Sequence, residues 1–314
     1  MKGAAQMKTR IIVSAVLLPI FFCVLFVLPP VFLTFVVSAI CAIGAYELIH
    51  ATKIINKRVL VYTIIAAVLT PIAVYLSLIP TMMAAEKIAA ADGTTQIALN
   101  TAISTLLLFT LLSSLFFIFI CLLLIELALT FRNKKAIEKG TNLKFRQIPI
   151  ALAGGMLIPY LLSALISLKC LPYGHLFVLL PIVAAFVTDS GAYFVGVAIG
   201  KTKAFPTISP NKTVEGYIGG TIAGIIGMLL YGIILYYATP LTIVFPILII
   251  YGILGAIVTE LGDLTFSFIK RKCDIKDYGR LIPGHGGALD RFDSMTFTAP
   301  TMYLLTLLIP AIVI

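Results

Sequence analysis

Long apolar runs fill this chain, separated by short polar stretches, and their lengths set the first reading. Nine runs of about 20 residues recur from end to end, and an α-helix of that length crosses a hydrocarbon core of roughly 30 Å. The pattern predicts spans at roughly 11–29, 31–50, 59–80, 103–130, 148–168, 174–199, 214–238, 241–268 and 295–314. The expected fold class is therefore all-α, a polytopic integral membrane helical bundle of about nine transmembrane helices. No heptad or solenoid repeat is evident. The sequence divides at 147/148 into spans one to four with basic connecting loops, residues 1–147, and spans five to nine, residues 148–314. The first run follows Lys2, Lys8 and Arg10 as a secretory signal would. It is too long for a signal core and ends at Pro29 and Pro30 with no small-residue cleavage pattern, so it reads as a retained anchor. Residues 81–98 form the only sizeable loop on their side and read as a short interfacial helix and a turn.

Composition agrees. Hydrophobic residues make up 61% of the chain and charged ones 11%, against about 25% charged in an average globular protein, too few to cover a soluble domain of this size. Cys23, Cys41, Cys121, Cys170 and Cys273 include no C-x-x-C pair; those within apolar runs behave as small hydrophobes, and no zinc site or disulfide framework is indicated. The net charge of +10 raises the question of nucleic acid. Placing the N-terminus in the cytoplasm answers it, because all of the 23 Lys and Arg except Lys87 and Lys169 then fall in inner segments. The positive-inside bias thus accounts for the charge and sets the orientation, with no nucleic-acid partner.

The acids are more informative than the bases. Glu86 and Asp92 fall outside and Glu138 in a charged inner loop, while Glu47 and Glu126 sit near inner span ends, where snorkelling is a sufficient account. Asp189, Glu215, Glu260, Asp263, Asp274, Asp277, Asp290 and Asp293 all lie beyond residue 185, on inner loops or in the spans leading to them. Asp189 and Asp263 fall inside spans six and eight, where a carboxylate is costly unless it faces a cavity or a partner, so they read as functional. A structural ion pair or a protonated acid is the alternative, but neither span offers an Arg or Lys within it. Glu260, Asp263, Ser267 and Lys270 recur at intervals of three and four, giving one helix a polar face. Asp290 and Asp293 are three apart at the expected start of span nine, where free N–H groups and the helix dipole favour anions. Paired carboxylates beside such an anion site suggest Mg²⁺ held by oxygen ligands and shared with a phosphate.

The stretch "RLIPGHGGALDRFDS", residues 280–294, brings those acids together with Gly284, His285, Gly286 and Gly287. Glycine lets backbone approach a ligand and turn its amides toward it. Lys270, Arg271, Lys272, Lys276, Arg280 and Arg291 surround the run, and Lys201, Lys203 and Lys212 occupy the adjacent inner loop. "SPNKT", Ser209 to Thr213, precedes span seven like a helix cap, which accounts for its small polar residues but not for Lys212. Gly216, Gly220 and Gly224 have the small-x-x-x-small spacing of close helix packing. The P-loop and the dinucleotide-binding glycine pattern are both absent.

Ser267-x-x-Lys270-Arg271, Lys276-Asp277-x-Gly279, Pro283-Gly-His-Gly-Gly287 and Asp290-Arg291-x-Asp293 together resemble the signature of the phosphatidate cytidylyltransferases, or CDP-diacylglycerol synthases. "DSGAYFVG" from Asp189 and "SPNKTVEG" from Ser209 resemble two further blocks of that family, so the likeness covers about residues 185–295. The resemblance implies the reaction of CTP with phosphatidate to give CDP-diacylglycerol and pyrophosphate for phospholipid biosynthesis. It implies dependence on Mg²⁺, with a second, monovalent or divalent, cation as a further expectation. It also implies a homodimer in the cell membrane with its site open to the cytoplasm. Asp263, Asp290 and Asp293 are then the expected metal ligands, with Asp189 a fourth acid that binds metal or supports substrate. Lys212, Lys270, Arg271, Lys276 and Arg291 would hold phosphates, joined by Ser209, Thr213 and Ser267. His285, Gly284, Gly286 and Gly287 would lie against the triphosphate. The nearest rival is a CTP-dependent kinase or cytidylyltransferase acting on a polyprenol, phytol or archaeal ether lipid. A secondary transporter is a different class, and the sequence lacks the matching halves that such folds show.

Overall fold

A computed structural model describes residues 19–88, 94–132, 143–279 and 286–313. The chain divides into two compact units, Met1–His175 with Asp277–Asp290, and Leu176–Lys276 with Arg291–Ile314. Seven helices among the described residues are long and apolar enough to cross a membrane, and they coincide with the second to eighth predicted spans. The protein is a polytopic helical membrane protein. Of the first predicted span, residues 11–18 lie outside the described residues and residues 19–26 are helical. The ninth forms a helix whose polar start keeps it out of the seven.

In the first unit, α1 (Pro30–Ala51) opens on a proline, which lacks only an N–H that the first turn leaves unpaired anyway. It ends where the Thr52 hydroxyl donates to the Leu48 carbonyl at 2.8 Å. Helices α2 (Lys57–Ile88) and α3 (Thr94–Arg132) follow. Both run past their predicted spans, so the expected loop 81–98 is largely helical extension. At 39 residues, α3 is about 58 Å long, well beyond what a bilayer core needs. Helix α4, within Phe145–Lys169, contains a π turn at Ala153–Leu157. Pro159 cannot donate to the Gly155 carbonyl four residues back, and the Thr70 hydroxyl approaches that carbonyl at 3.4 Å. Ile49, Val59, Phe119, Leu123, Ile148 and Ala151 form the core between these helices.

Glu126 corrects one expectation. It is buried and accepts from the Asn56 amide at 2.8 Å, with Arg58 3.6 Å away. Asn56 in turn accepts the Arg58 and Val59 N–H groups at 3.0 and 3.4 Å. The acid is thus the far end of the α2 N-terminal cap, not a side chain reaching for water.

The second unit contains α5 (Leu179–Ile199), α6 (Val214–Ala238), α7 (Phe245–Lys272) and, from residue 291 on, α8 (Leu289–Leu308). Four short strands among the described residues, which apolar periodicity gives no sign of, complete it. β1 (Lys203–Phe205) and β2 (Ser209–Thr213) make an antiparallel hairpin, while β3 (Thr242–Ile243) pairs with β4 (Ile312–Val313). The predicted glycine stripe is a packing surface. A methyl at Gly216 would stand 2.9 Å from the Ala192 carbonyl of α5, and one at Gly224 would stand 2.7 Å from the Thr188 hydroxyl of α5 and 3.3 Å from Ala256 of α7. Lipid offers helices no hydrophobic drive to associate, so backbone proximity and van der Waals contact supply it. Large apolar side chains meanwhile face outward, Val197 at 71% and Leu308 at 75% exposure, as a lipid-solvated surface requires.

Gly252 gives a direct test. A methyl there would lie 2.5 Å from the Ile225 Cα, a backbone atom that cannot move without parting α6 from α7. At Gly44 of α1 the nearest atom would be the Leu289 Cδ1 at 3.5 Å, an ordinary contact. Gly252→Ala is therefore expected to destabilise the purified protein by about 1–3 kcal/mol, and Gly44→Ala to be neutral or better. Unfolding of both in mixed micelles checks this, and equal effects would refute it.

Candidate functional site

The acids of the second unit converge because a residue without a side chain lets two helices touch. A Cβ at Gly262 of α7 would lie 3.0 Å from the Asp293 carbonyl and 3.1 Å from the Ser294 Cα of α8. The buried Thr259 and Thr298 hydroxyls, 2.8 Å apart, join the same two helices one turn away. This contact brings Asp263 beside Asp293, and the charges of Asp263 and Asp189 both bear on Asp293. Ser294 links the group: its N–H donates to Asp293 Oδ1 at 2.8 Å and its hydroxyl to Asp189 Oδ2 at 3.4 Å. Ser267 donates to Asp263 Oδ1 at 3.4 Å. Asp293 is buried and Asp189 is exposed.

Two lysines answer the acids. Lys212, from β2, pairs with Asp263 Oδ2 and lies 5.4 Å over the Tyr217 ring. Lys270 is 3.9 Å from Asp293 Oδ2. Burial alone would lower the Lys212 ammonium's pKa, yet the Asp263 carboxylate outweighs it and the net is a rise. Lys212 is therefore charged throughout the neutral range. The hairpin that carries it is fastened at both ends. Thr213 caps α6 by accepting the Gly216 N–H at 3.1 Å, as expected for a residue preceding a helix. Glu215 accepts the Lys201 and Thr202 N–H groups at 3.1 and 3.2 Å. Arg271 donates to the Ile208 carbonyl at 3.0 Å and the Ile275 carbonyl at 3.3 Å, so its guanidinium also secures the hairpin. Ser209 is half-buried in β2, and Lys276 and Arg291 are exposed.

The glycine segment belongs to the first unit as far as Asp290. Gly284, His285 and Arg280 lie outside the described residues. Gly286 adopts φ 89°, a conformation that side chains disfavour. Two of the N–H groups at the start of α8, where an anion is expected, are already taken. Ala288 donates to Glu47 Oε1 at 3.0 Å and Leu289 to Glu47 Oε2 at 2.9 Å. Gly287 donates to Asp290 Oδ2 at 3.1 Å, as does Tyr278 at 2.9 Å. A Cβ at Gly287 would fall 2.6 Å from the Glu47 carboxylate, so this glycine admits the protein's own acid. Glu47 is 3% exposed, which overturns the snorkelling expectation for it. The signal that could have found it is an acid in an apolar run with no Lys or Arg within one turn of it.

One polar group of the second unit, Thr188, escaped the sequence reading, whereas Glu260 belongs to the polar face expected on span eight. Thr188 Oγ1 and Glu260 Oε1 are buried without a hydrogen-bond partner. Glu260 borders an apolar groove of about 390 Å³ between α6 and α7, lined also by Phe205, Val214, Tyr217, Ile218 and Leu261.

Among the described residues, no group of three or more His, Cys, Asp or Glu is arranged to hold a metal ion. The donor chemistry nevertheless fits Mg²⁺, which takes hard oxygen ligands and is commonly bound by one or two carboxylates plus substrate phosphates. Asp263 and Asp293 supply the carboxylates, with Asp189 joined to Asp293 through Ser294.

A model of the cytidylyltransferase family matches residues 8–309. The chain is 42% identical over 133 residues to the phosphatidate cytidylyltransferase of Bacillus subtilis strain 168, covering 42% of this chain and 48% of that protein. It is 43% identical over 129 residues to the Staphylococcus saprophyticus protein of the same name, covering 41% and 48%, and 40% identical over 129 residues, with the same coverage, to that of Staphylococcus aureus strain COL. The chain thus spans about half the length of the curated relatives it matches.

Lys212 and Asp263 should be energetically coupled. Lys212→Met leaves a carboxylate without its counter-charge, so its cost should shrink by about 0.5–3 kcal/mol in an Asp263→Asn background. A double-mutant cycle of unfolding in micelles measures this, and the same cost in both backgrounds would show the pair to be unimportant.

Proposed function

The chain belongs to the cytidylyltransferase family, and from that premise we propose that it transfers the cytidylyl group of CTP to phosphatidate, giving CDP-diacylglycerol and pyrophosphate for phospholipid biosynthesis. The observation that carries the reading is the convergence of Asp189, Asp263 and Asp293 with Lys212 and Lys270 at the polar ends of lipid-facing helices. The relatives' name supports the choice of substrates, and the apolar groove beside Tyr217 suits a substrate with acyl chains.

The chemistry asks little of a general base. An ionised phosphate oxygen of phosphatidate attacks the α-phosphorus of CTP, a new P–O–P bond forms, and the bond to the β-phosphate breaks to release pyrophosphate. What the protein must supply is in-line alignment and neutral surroundings for phosphate charge. Lys212, Lys270, Arg271, Lys276 and Arg291 hold phosphate oxygens in this reading, and Ser209, Thr213 and Ser267 orient them. Gly284, His285 and Gly286 would lie along the triphosphate; Gly287, assigned there with them by the sequence, is instead closed over the Glu47 carboxylate. Asp263, Asp290 and Asp293 would hold Mg²⁺, and Asp189 would hold metal or support substrate. When bound, the cation neutralises charge on the departing pyrophosphate; a second, monovalent or divalent, cation would share that task.

The same reading keeps about nine spans, with α8 as the last and the N-terminus in the cytoplasm. Residues 148–314 then carry the reacting groups, and the site faces the cytoplasm of the cell membrane in a homodimer. One substrate dissolves in lipid and the other in water, so the reaction belongs at the boundary.

Purified protein in detergent should release pyrophosphate only when CTP, Mg²⁺ and phosphatidate are all present. Asp263→Asn and Asp293→Asn should each lower that rate by about 10²-fold or more. Release without phosphatidate, or conversion of CTP to CDP with a lipid alcohol instead, would replace this reading. Wild-type rates in both variants would remove the metal assignment.

A further inference from the structure

Glu47 sits near the end of α1, more than 200 residues before Asp263, Asp290 and Asp293, and the proposed chemistry makes no use of it. Its surroundings are specific. The carboxylate is 3% exposed, and burying an ion at that depth is costly unless hydrogen bonds replace its water. Each oxygen accepts a different backbone N–H, from Ala288 and from Leu289. These amides open α8, so the helix dipole adds to the attraction. Gly279 and Gly287 close over the carboxylate so tightly that a Cβ on either would collide with it. Asp290 binds the same two strands of backbone from the other side, at Tyr278 and Gly287.

We propose that Glu47 is a positioning residue for the proposed reaction. Its two-oxygen grip on the Ala288 and Leu289 N–H groups, packed against Gly279, fixes the first turn of α8, the helix that carries Asp290 and Asp293. A lone acceptor would leave that turn free to rotate about one hydrogen bond, whereas two oxygens on consecutive N–H groups define its orientation. Acids three residues apart on a helix can serve one cation only while that first turn keeps its helical form. Displacing the groups that orient metal ligands typically weakens metal binding or activity by about 10–100-fold. The effect on turnover rests on the cytidylyltransferase reading, while the grip on α8 does not.

The test compares the full chain in detergent with Glu47→Gln and Glu47→Asp. In the Gln variant one oxygen becomes an NH₂ that cannot accept, so amide exchange at Ala288 and Leu289 should accelerate about tenfold or more. The Mg²⁺ concentration for half-saturation should rise about tenfold, read both from turnover and from the Mg²⁺-dependent rise in melting temperature. Glu47→Asp, which keeps the charge but is shorter, should fall between the two. Unchanged exchange in Glu47→Gln would overturn the inference. So would a lower melting temperature with wild-type Mg²⁺ half-saturation, which would make Glu47 a stabilising residue only. If the wild-type chain turns over nothing, the cytidylyltransferase reading fails. The exchange and melting measurements then still decide the role of Glu47.

Discussion

Gly262 has no side chain, and the backbone of α7 therefore reaches α8 at Asp293 and Ser294. The arrangement of the second unit's polar groups follows from that approach. Asp263, the next residue, is carried to the same helix end as Asp293, and Ser294 extends the group to Asp189 on α5. Like charges at such separation repel, and the low dielectric of apolar surroundings strengthens the repulsion. Lys212 and Lys270 relieve it. One lysine comes from the hairpin and the other from the last turns of α7, so neither α7 nor α8 alone could hold these acids in this position.

That dependence explains the attention the fold gives to the hairpin. A lysine that balances an acid near the membrane must be held in place, because an ammonium drawn into water would leave the acid uncompensated. Thr213, Glu215 and Arg271 each fix a different part of the β1–β2 segment through backbone groups. Arg271 illustrates how one side chain can be read in two ways. Its position in a basic run suggests phosphate binding, while its geometry shows two donors already engaged by carbonyls. A guanidinium has five N–H donors in all, so securing the hairpin and meeting an anion are compatible tasks.

The spans were legible because lipid imposes one rule on every residue of a helix face, and a run of about 20 apolar residues suits little besides a membrane span. The glycine stripe of α6 and the polar face of α7 were legible for the same reason, as breaks in that rule at helical spacing. What stayed hidden depends on partners distant in sequence. Glu126 completes a cap that begins at Asn56, and Glu47 completes a helix start at Leu289; the local sequence shows an acid with no Lys or Arg within a turn, but not the distant partner it finds. The strands were hidden too, since β1 and β2 are short and polar and carry no periodicity to read. Among the candidate site residues, Asp189, Asp263 and Asp293 lie in one group, whereas spacing alone had set Asp263 on a helix face with Glu260 and paired Asp293 with Asp290. The anion expected at the start of α8 proved to be part of the protein.

This last point changes how the glycine segment is understood. Glycines beside a helix start are usually read as making room for a ligand's phosphate. Here Gly279 and Gly287 make room for Glu47, and the Ala288 and Leu289 N–H groups are bonded to its carboxylate. A substrate phosphate meeting this region would therefore find a backbone already shaped and an anion already in place, and its own charge would need lysine, arginine or a cation instead.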